Sequence, residues 1–171
     1  MKSQPSLRPL DLVVGLHLGL GLDARYEAIA AALDISVSQA HRTTARLQQA
    51  GLVLPESKRM DRKALMDFLS HGVRYAFFPV LGPETRGVPT AHSAPPLADR
   101  IVSDDTIVWP SAHGRVRGTS LLPLYPGAPG LPERSPSLYE MLTLVDALRV
   151  GRAREREMAA KDVRARIESA V

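Results

Sequence analysis

Proline placement constrains this chain more than any other feature. From Pro79 to Pro136 it recurs at Pro83, Pro89, Pro95, Pro96, Pro110, Pro123, Pro126, Pro129 and Pro132, whereas none falls between Pro9 and Pro55 or after Pro136. Proline removes a backbone donor, and its ring clashes with the preceding helical turn, so no helical bundle can run through the middle of the chain. Long helices are expected only towards the two ends. The expected organisation is residues 1–76, a Pro- and Gly-rich β-containing segment at 77–135, and a C-terminal helical segment at 136–171. The expected fold class is mainly α with a small irregular β segment.

The longest proline-free stretch contains two short helices joined by a turn. From Tyr26 to Leu33, the residues Ile29, Ala32 and Leu33 recur at helical spacing and make one apolar face. A turn at Asp34 and Ile35 follows. Ser36 and Gln39 then form a Ser-x-x-Gln capping box, in which each side chain accepts from the other's backbone N–H, so a second helix begins at Val37. On it Ala40, Thr44 and Leu47 face inward, while Ser38, Gln39, His41, Arg42, Ala45, Arg46 and Gln49 project elsewhere. Gly51 closes it, because a residue without Cβ tolerates the left-handed conformation.

The residues Ile29-Ala30, Leu33-Asp34-Ile35-Ser36, Ser38-Gln39-Ala40, Arg42, Leu47 and Gly51-Leu52-Val53 resemble the helix-turn-helix of bacterial transcription regulators, especially the MarR and IclR types. Two positions depart from that pattern. Asp34 stands where glycine is usual, although Asp tolerates the left-handed region better than most residues. Thr44 stands where a larger apolar residue is usual. The resemblance implies that residues 1–76 are a helix-turn-helix DNA-binding domain of the winged type, with a recognition helix at 37–49 entering the major groove. The wing is expected to be reduced or absent. Residues 52–55 suit a first strand and 56–59 a tip, but Leu65, Met66, Phe68, Leu69 and Val73 follow helical periodicity after the N-cap candidate Asp61, which predicts a helix over 61–76.

Side-chain chemistry supports contact with nucleic acid. No acidic residue lies between Ile35 and Pro55. Ser38, Gln39, His41 and Arg42 are the expected readers of base edges, glutamine suiting adenine and arginine guanine. Ser36, Thr43, Arg46, Lys58, Arg59 and Arg62 are the expected phosphate contacts. Within residues 37–75, Arg42, Arg46, Lys58, Arg59, Arg62, Lys63 and Arg74 face only Glu56, Asp61 and Asp67, an excess equal to the net +4 of the whole chain. That concentration marks an electrostatic footprint for phosphate. The competing readings are a helical hairpin that touches no nucleic acid and a basic surface kept for solubility.

The remaining sequence sets bounds. With no cysteine there is no disulfide framework or thiolate metal site, which fits a reducing, cytoplasmic setting. Lys2 and Arg8 before an apolar run suggest a signal peptide, but Asp11 and His17 interrupt it, so a first helix starting near Pro9 is expected, with Leu10, Val13, Val14, Leu16 and Leu20 packed on the helical pair. No stretch is long enough for a membrane span, and no membrane association is expected. In the middle segment, residues 75–80, 106–109 and 116–124 read as short strands around Trp109 and Tyr125. Residues 85–87 and 115–118 read as plain turns, with contact to an anion or a partner backbone as the alternative. His92 and His113 lack metal-site or catalytic spacing, and no catalytic residue, metal or cofactor is expected. Beyond Ser135 and Pro136, Leu138, Met141, Leu142, Val145 and Leu148 make an apolar stripe, and Gly151 breaks the helix. Past it, Met158, Ala159, Val163 and Ile167 keep a narrow seam suited to dimerisation or partner docking, with a solvated surface helix as the alternative.

These features describe a transcription regulator that binds double-stranded DNA as a homodimer and is not an enzyme. The alternative is an antitoxin-like or adaptor protein that binds a partner protein through its middle and C-terminal segments, with autoregulatory DNA binding. A ligand sensor in the middle segment is a third possibility.

Overall fold

Two helices of this chain are predominantly apolar, and helices of that composition call for enclosure. The computed structural model, which describes residues 1–170, encloses both. They are α1 (Pro9–Gly19), buried from Asp11 to Gly19, and α7 (Pro136–Val150), buried from Met141 to Arg149. Between them come α2 (Tyr26–Leu33), α3 (Val37–Gln49), α4 (Arg62–His71), α5 (Val73–Ala76), β1 (Leu81–Pro89), β2 (Ile107–Pro110), β3 (Val116–Leu121) and α6 (Leu131–Arg134), and α8 (Ala153–Ser169) follows. The class is mainly α with a small sheet. Because α7 touches α1, α4, α5, α6 and α8, the C-terminal helices share one core with the N-terminal ones.

The α2–α3 pair forms at the residues whose pattern predicts it. Asp34 adopts φ 57 and ψ 51, the left-handed conformation that turns the chain between the helices. Gly51, at φ +78, turns it again after α3. The expected helix over 61–76 is corrected to two pieces. Asp61 caps α4 by accepting from the Ala64 N–H at 2.9 Å, and the helix then breaks at Gly72 before α5. Between α3 and α4 the chain makes a minimal hairpin: the Leu54 N–H donates to Arg59 O at 2.9 Å, the Asp61 N–H to Leu52 O at 2.8 Å, and Val53 faces Met60.

The sheet differs from expectation in position. Residues 75–80 do not begin a strand; α5 continues through Ala76, and β1 starts at Leu81. It runs antiparallel to both β2 and β3, which pair in parallel with each other. Pro83 fits in this strand because it sits in the register shift between Leu81 and Glu84, where a missing N–H breaks no ladder bond. Thr85, Arg86 and Gly87 lie inside β1, and Val116, Arg117 and Gly118 inside β3, so neither segment is the turn expected. Gly87 lets the strands close: a Cβ there would stand 2.0 Å from the Trp109 carbonyl oxygen.

One polar cluster locks the sheet to α7. The Asp146 carboxylate accepts from the Trp109 indole at 2.8 Å, from the Thr90 hydroxyl at 2.7 Å and from Arg149 Nη1 at 2.6 Å. Arg149 Nε donates to Phe77 O at 2.7 Å. Burial pushes the Asp146 carboxyl above its ordinary range, against the opposing pull of Arg149 and the two side-chain donors. The Ser135 side chain makes no capping hydrogen bond at the start of α7. The seam of α8 is also spent internally, since Ala159, Val163 and Ile167 are buried and the helix packs on α7 and α4. Among the described residues no helix is long and apolar enough to cross a membrane.

Candidate nucleic-acid interface

The exposed face of α3 is set by what its other face buries. Ala40, Thr43, Thr44 and Leu47 are buried, and both threonine hydroxyls donate to Ala40 O at 2.9 Å, so they need no external partner. Thr43 is therefore corrected as a phosphate contact, because its hydroxyl points into the protein and is satisfied there. At the N-terminus the capping box closes in both directions: the Gln39 N–H donates to Ser36 Oγ and the Ser36 N–H to Gln39 Oε1, each at 3.0 Å.

Arg46 is also redirected. Its Nε and Nη2 donate to the fully buried Asp11 carboxylate at 2.8–3.0 Å, which ties α3 to α1 and raises the Arg46 pKa through that hydrogen bonding. The guanidinium expected at phosphate is occupied as a structural fork. The Arg8 N–H donates to the same carboxylate at 2.7 Å.

What remains in solvent on α3 is Val37, Ser38, His41, Arg42, Ala45, Gln48 and Gln49. Arg42 Nη1 donates to Ser38 Oγ at 3.0 Å, which orients the guanidinium along the outer surface. His41 stands edge-on to Tyr26, with ring centroids 5.1 Å apart. Lys58, from the hairpin, places Nζ 3.6 Å from the centroid of that same Tyr26 ring. Gln48 Nε2 donates to Ser57 O at 2.8 Å and holds the hairpin to α3 from the other side. Periodicity on α3 foretold none of the Tyr26 and Gln48 contacts, because each depends on a residue from another element.

Arg59 and Arg62 line a cleft of about 200 Å³ with Leu18, Leu22, Lys58 and Met60, beside the end of α1. Arg62 also donates to Ala170 O, and Lys63 pairs with Asp67 at 3.1 Å. Among the described residues, Arg42, Lys58 and Arg59 are in no ion pair with a carboxylate. The middle segment reaches this end of the molecule through Arg134, whose Nε donates to Ala32 O at 3.2 Å and Nη2 to Gly127 O at 2.7 Å.

The middle segment offers a different chemistry. His92 is buried with Nε2 at 2.8 Å from Asp105 O, and His113 is exposed. No group of three or more His, Asp or Glu side chains able to hold a metal occurs among the described residues. Tyr75, Phe78, Val80, Leu81 and Leu122 are large apolar side chains left at least half exposed around the start of β1. Comparison of the chain with protein families, with characterised proteins and with solved structures returned no significant match.

Proposed function

We propose that this chain is a sequence-specific DNA-binding transcription regulator in which α2 and α3 act as a helix-turn-helix. One observation carries the reading: α3 buries a complete apolar and threonine face while presenting Ser38, His41 and Arg42 on an outer face that holds no carboxylate. A helix of that kind fits the major groove, where arginine pairs bidentately with guanine. Arg42 reads the base edge, aligned by Ser38, with His41 beside it. Gln39 contributes its amide N–H, since its carbonyl oxygen serves the cap. Ser36, Lys58, Arg59 and Arg62 meet phosphates, and the hairpin at 52–61 is a reduced wing.

The protein acts as a homodimer in the bacterial cytoplasm, its two copies reading half-sites roughly 34 Å apart. With the α8 seam already covered, the exposed apolar group of Tyr75, Phe78, Val80, Leu81 and Leu122 is the surface that suits the second copy. That same patch favours the second reading, an antitoxin-like or adaptor protein with a separate protein partner; copurification of a second chain distinguishes it.

The decisive experiment is a gel shift with the DNA upstream of the chain's own gene at two salt concentrations. Arg42→Ala is expected to weaken specific binding by about 1–3 kcal/mol. Wild-type binding no stronger than to random competitor refutes the regulator reading.

A further inference from the structure

We infer that Tyr26 is a positioning residue of the DNA-contact surface, its ring holding the Lys58 ammonium where it meets the phosphate backbone and the His41 imidazole beside the base-reading face of α3. This rests on the reading of α3 as the DNA-contacting helix and adds a residue from α2 that makes no base contact.

Three elements converge on one aromatic ring. Tyr26 is the first residue of α2, His41 lies in the first half of α3, and Lys58 belongs to the hairpin after α3. Lys58 Nζ stands 3.6 Å from the ring centroid, and His41 approaches the ring at an interplanar angle of 68°. The negative face of an aromatic ring attracts an ammonium. Lys58 is in no ion pair among the described residues, so that face is the partner its charge has.

The consequence is preorganisation. A lysine on an open hairpin spreads its ammonium over many rotamers, and binding phosphate would have to collapse them. Here the hairpin backbone is held by the Gln48–Ser57 hydrogen bond and the side chain by the Tyr26 ring. An ammonium has three N–H donors, so those directed away from the ring stay available to a phosphate oxygen. Lys58 is thus aimed before DNA arrives, on the same side of the α2–α3 pair as His41.

The test is a double-mutant cycle measured by fluorescence anisotropy on a labelled duplex, with circular dichroism melts run in parallel. Tyr26→Phe keeps the ring face and is expected to bind within about twofold of wild type, whereas Tyr26→Leu and Tyr26→Ala lose about threefold to tenfold at low salt. In a Lys58→Ala background the loss from Tyr26→Leu is expected to shrink to near nothing. Tyr26→Leu keeps apolar bulk at the site, so it reports on the ring even if the alanine variant melts early. The inference is overturned if Tyr26→Leu binds like wild type, if Tyr26→Phe loses as much as Tyr26→Leu, or if the leucine loss persists in full without Lys58. Absence of DNA binding by the wild type removes the regulator reading and this inference with it; normal wild-type binding with an uncoupled cycle removes this inference alone.

Discussion

Asp11 and Asp146 are both fully buried carboxylates held by an arginine, one beneath α3 and the other between the sheet and α7. Their surroundings differ. The Arg46 side chain paired with Asp11 keeps 25% of its surface, so water reaches one edge of the ion pair, whereas the Arg149 side chain paired with Asp146 keeps 4%. Asp11 joins two neighbouring helices at the edge of the molecule. Asp146 joins α7 to Thr90, to β2 and, through Arg149, to the end of α5. A pair open to water can lose one member and let the other turn outward; an enclosed pair leaves a stranded charge. The α1–α3 contact is thus fixed by a replaceable fork, and the sheet by one that is not.

The largest expected effect tests the enclosed side. Asp146→Ala leaves Arg149 without a counter-charge and the Trp109 indole without an acceptor, and is expected to cost about 3–5 kcal/mol in urea unfolding. Asp11→Ala also removes charge-assisted hydrogen bonds, but Arg46 can reach solvent, so about 2 kcal/mol is expected by the same measurement. Equal costs for the two would break the comparison. Ser36→Ala, which removes one acceptor from the α3 cap, is expected to cost about 1 kcal/mol, in keeping with a local feature at an exposed helix end.

The smallest effect is one of pH. Burial holds the His17 pKa below its ordinary value of 6.5, outweighing the Asp23 carbonyl that its Nε2 contacts at 2.8 Å. The unfolded chain then binds the proton more readily than the folded one, so stability should be complete above pH 6.5 and decline as pH falls below it. His17→Gln is expected to flatten that decline in a series of melts. A decline of unchanged slope in the variant would show that another group causes it.

The same contrast explains what could be read in advance. The α2–α3 bounds, the Ser36–Gln39 box and the left-handed Asp34 all follow from residues within a turn of one another, so a local pattern carries them. Thr43 and Arg46 did not follow. Threonine on a polar-looking face satisfies its hydroxyl on its own helix, and Arg46 finds a carboxylate on α1 that the spacing within α3 cannot reveal. β1 was displaced because α5 and Pro83 obey tertiary packing and strand register, neither of which leaves a local periodicity. The α8 seam was legible as apolar, but nothing in its spacing tells whether α7 or another chain covers it. Tyr26 carries no signal of its own until His41 and Lys58 are folded around it.

Trp109 has an optical consequence. It is the chain's single tryptophan, has no exposed surface, donates to Asp146 and stands edge-on to Tyr139 at 5.8 Å. All indole emission from the protein therefore originates where β2 meets α7. Selective excitation of this residue reports the undocking of the sheet as a red shift and a gain in quenching by acrylamide, separately from the far-ultraviolet signal of the helices. A protein whose emission changes before its helicity does would be coming apart first at that contact.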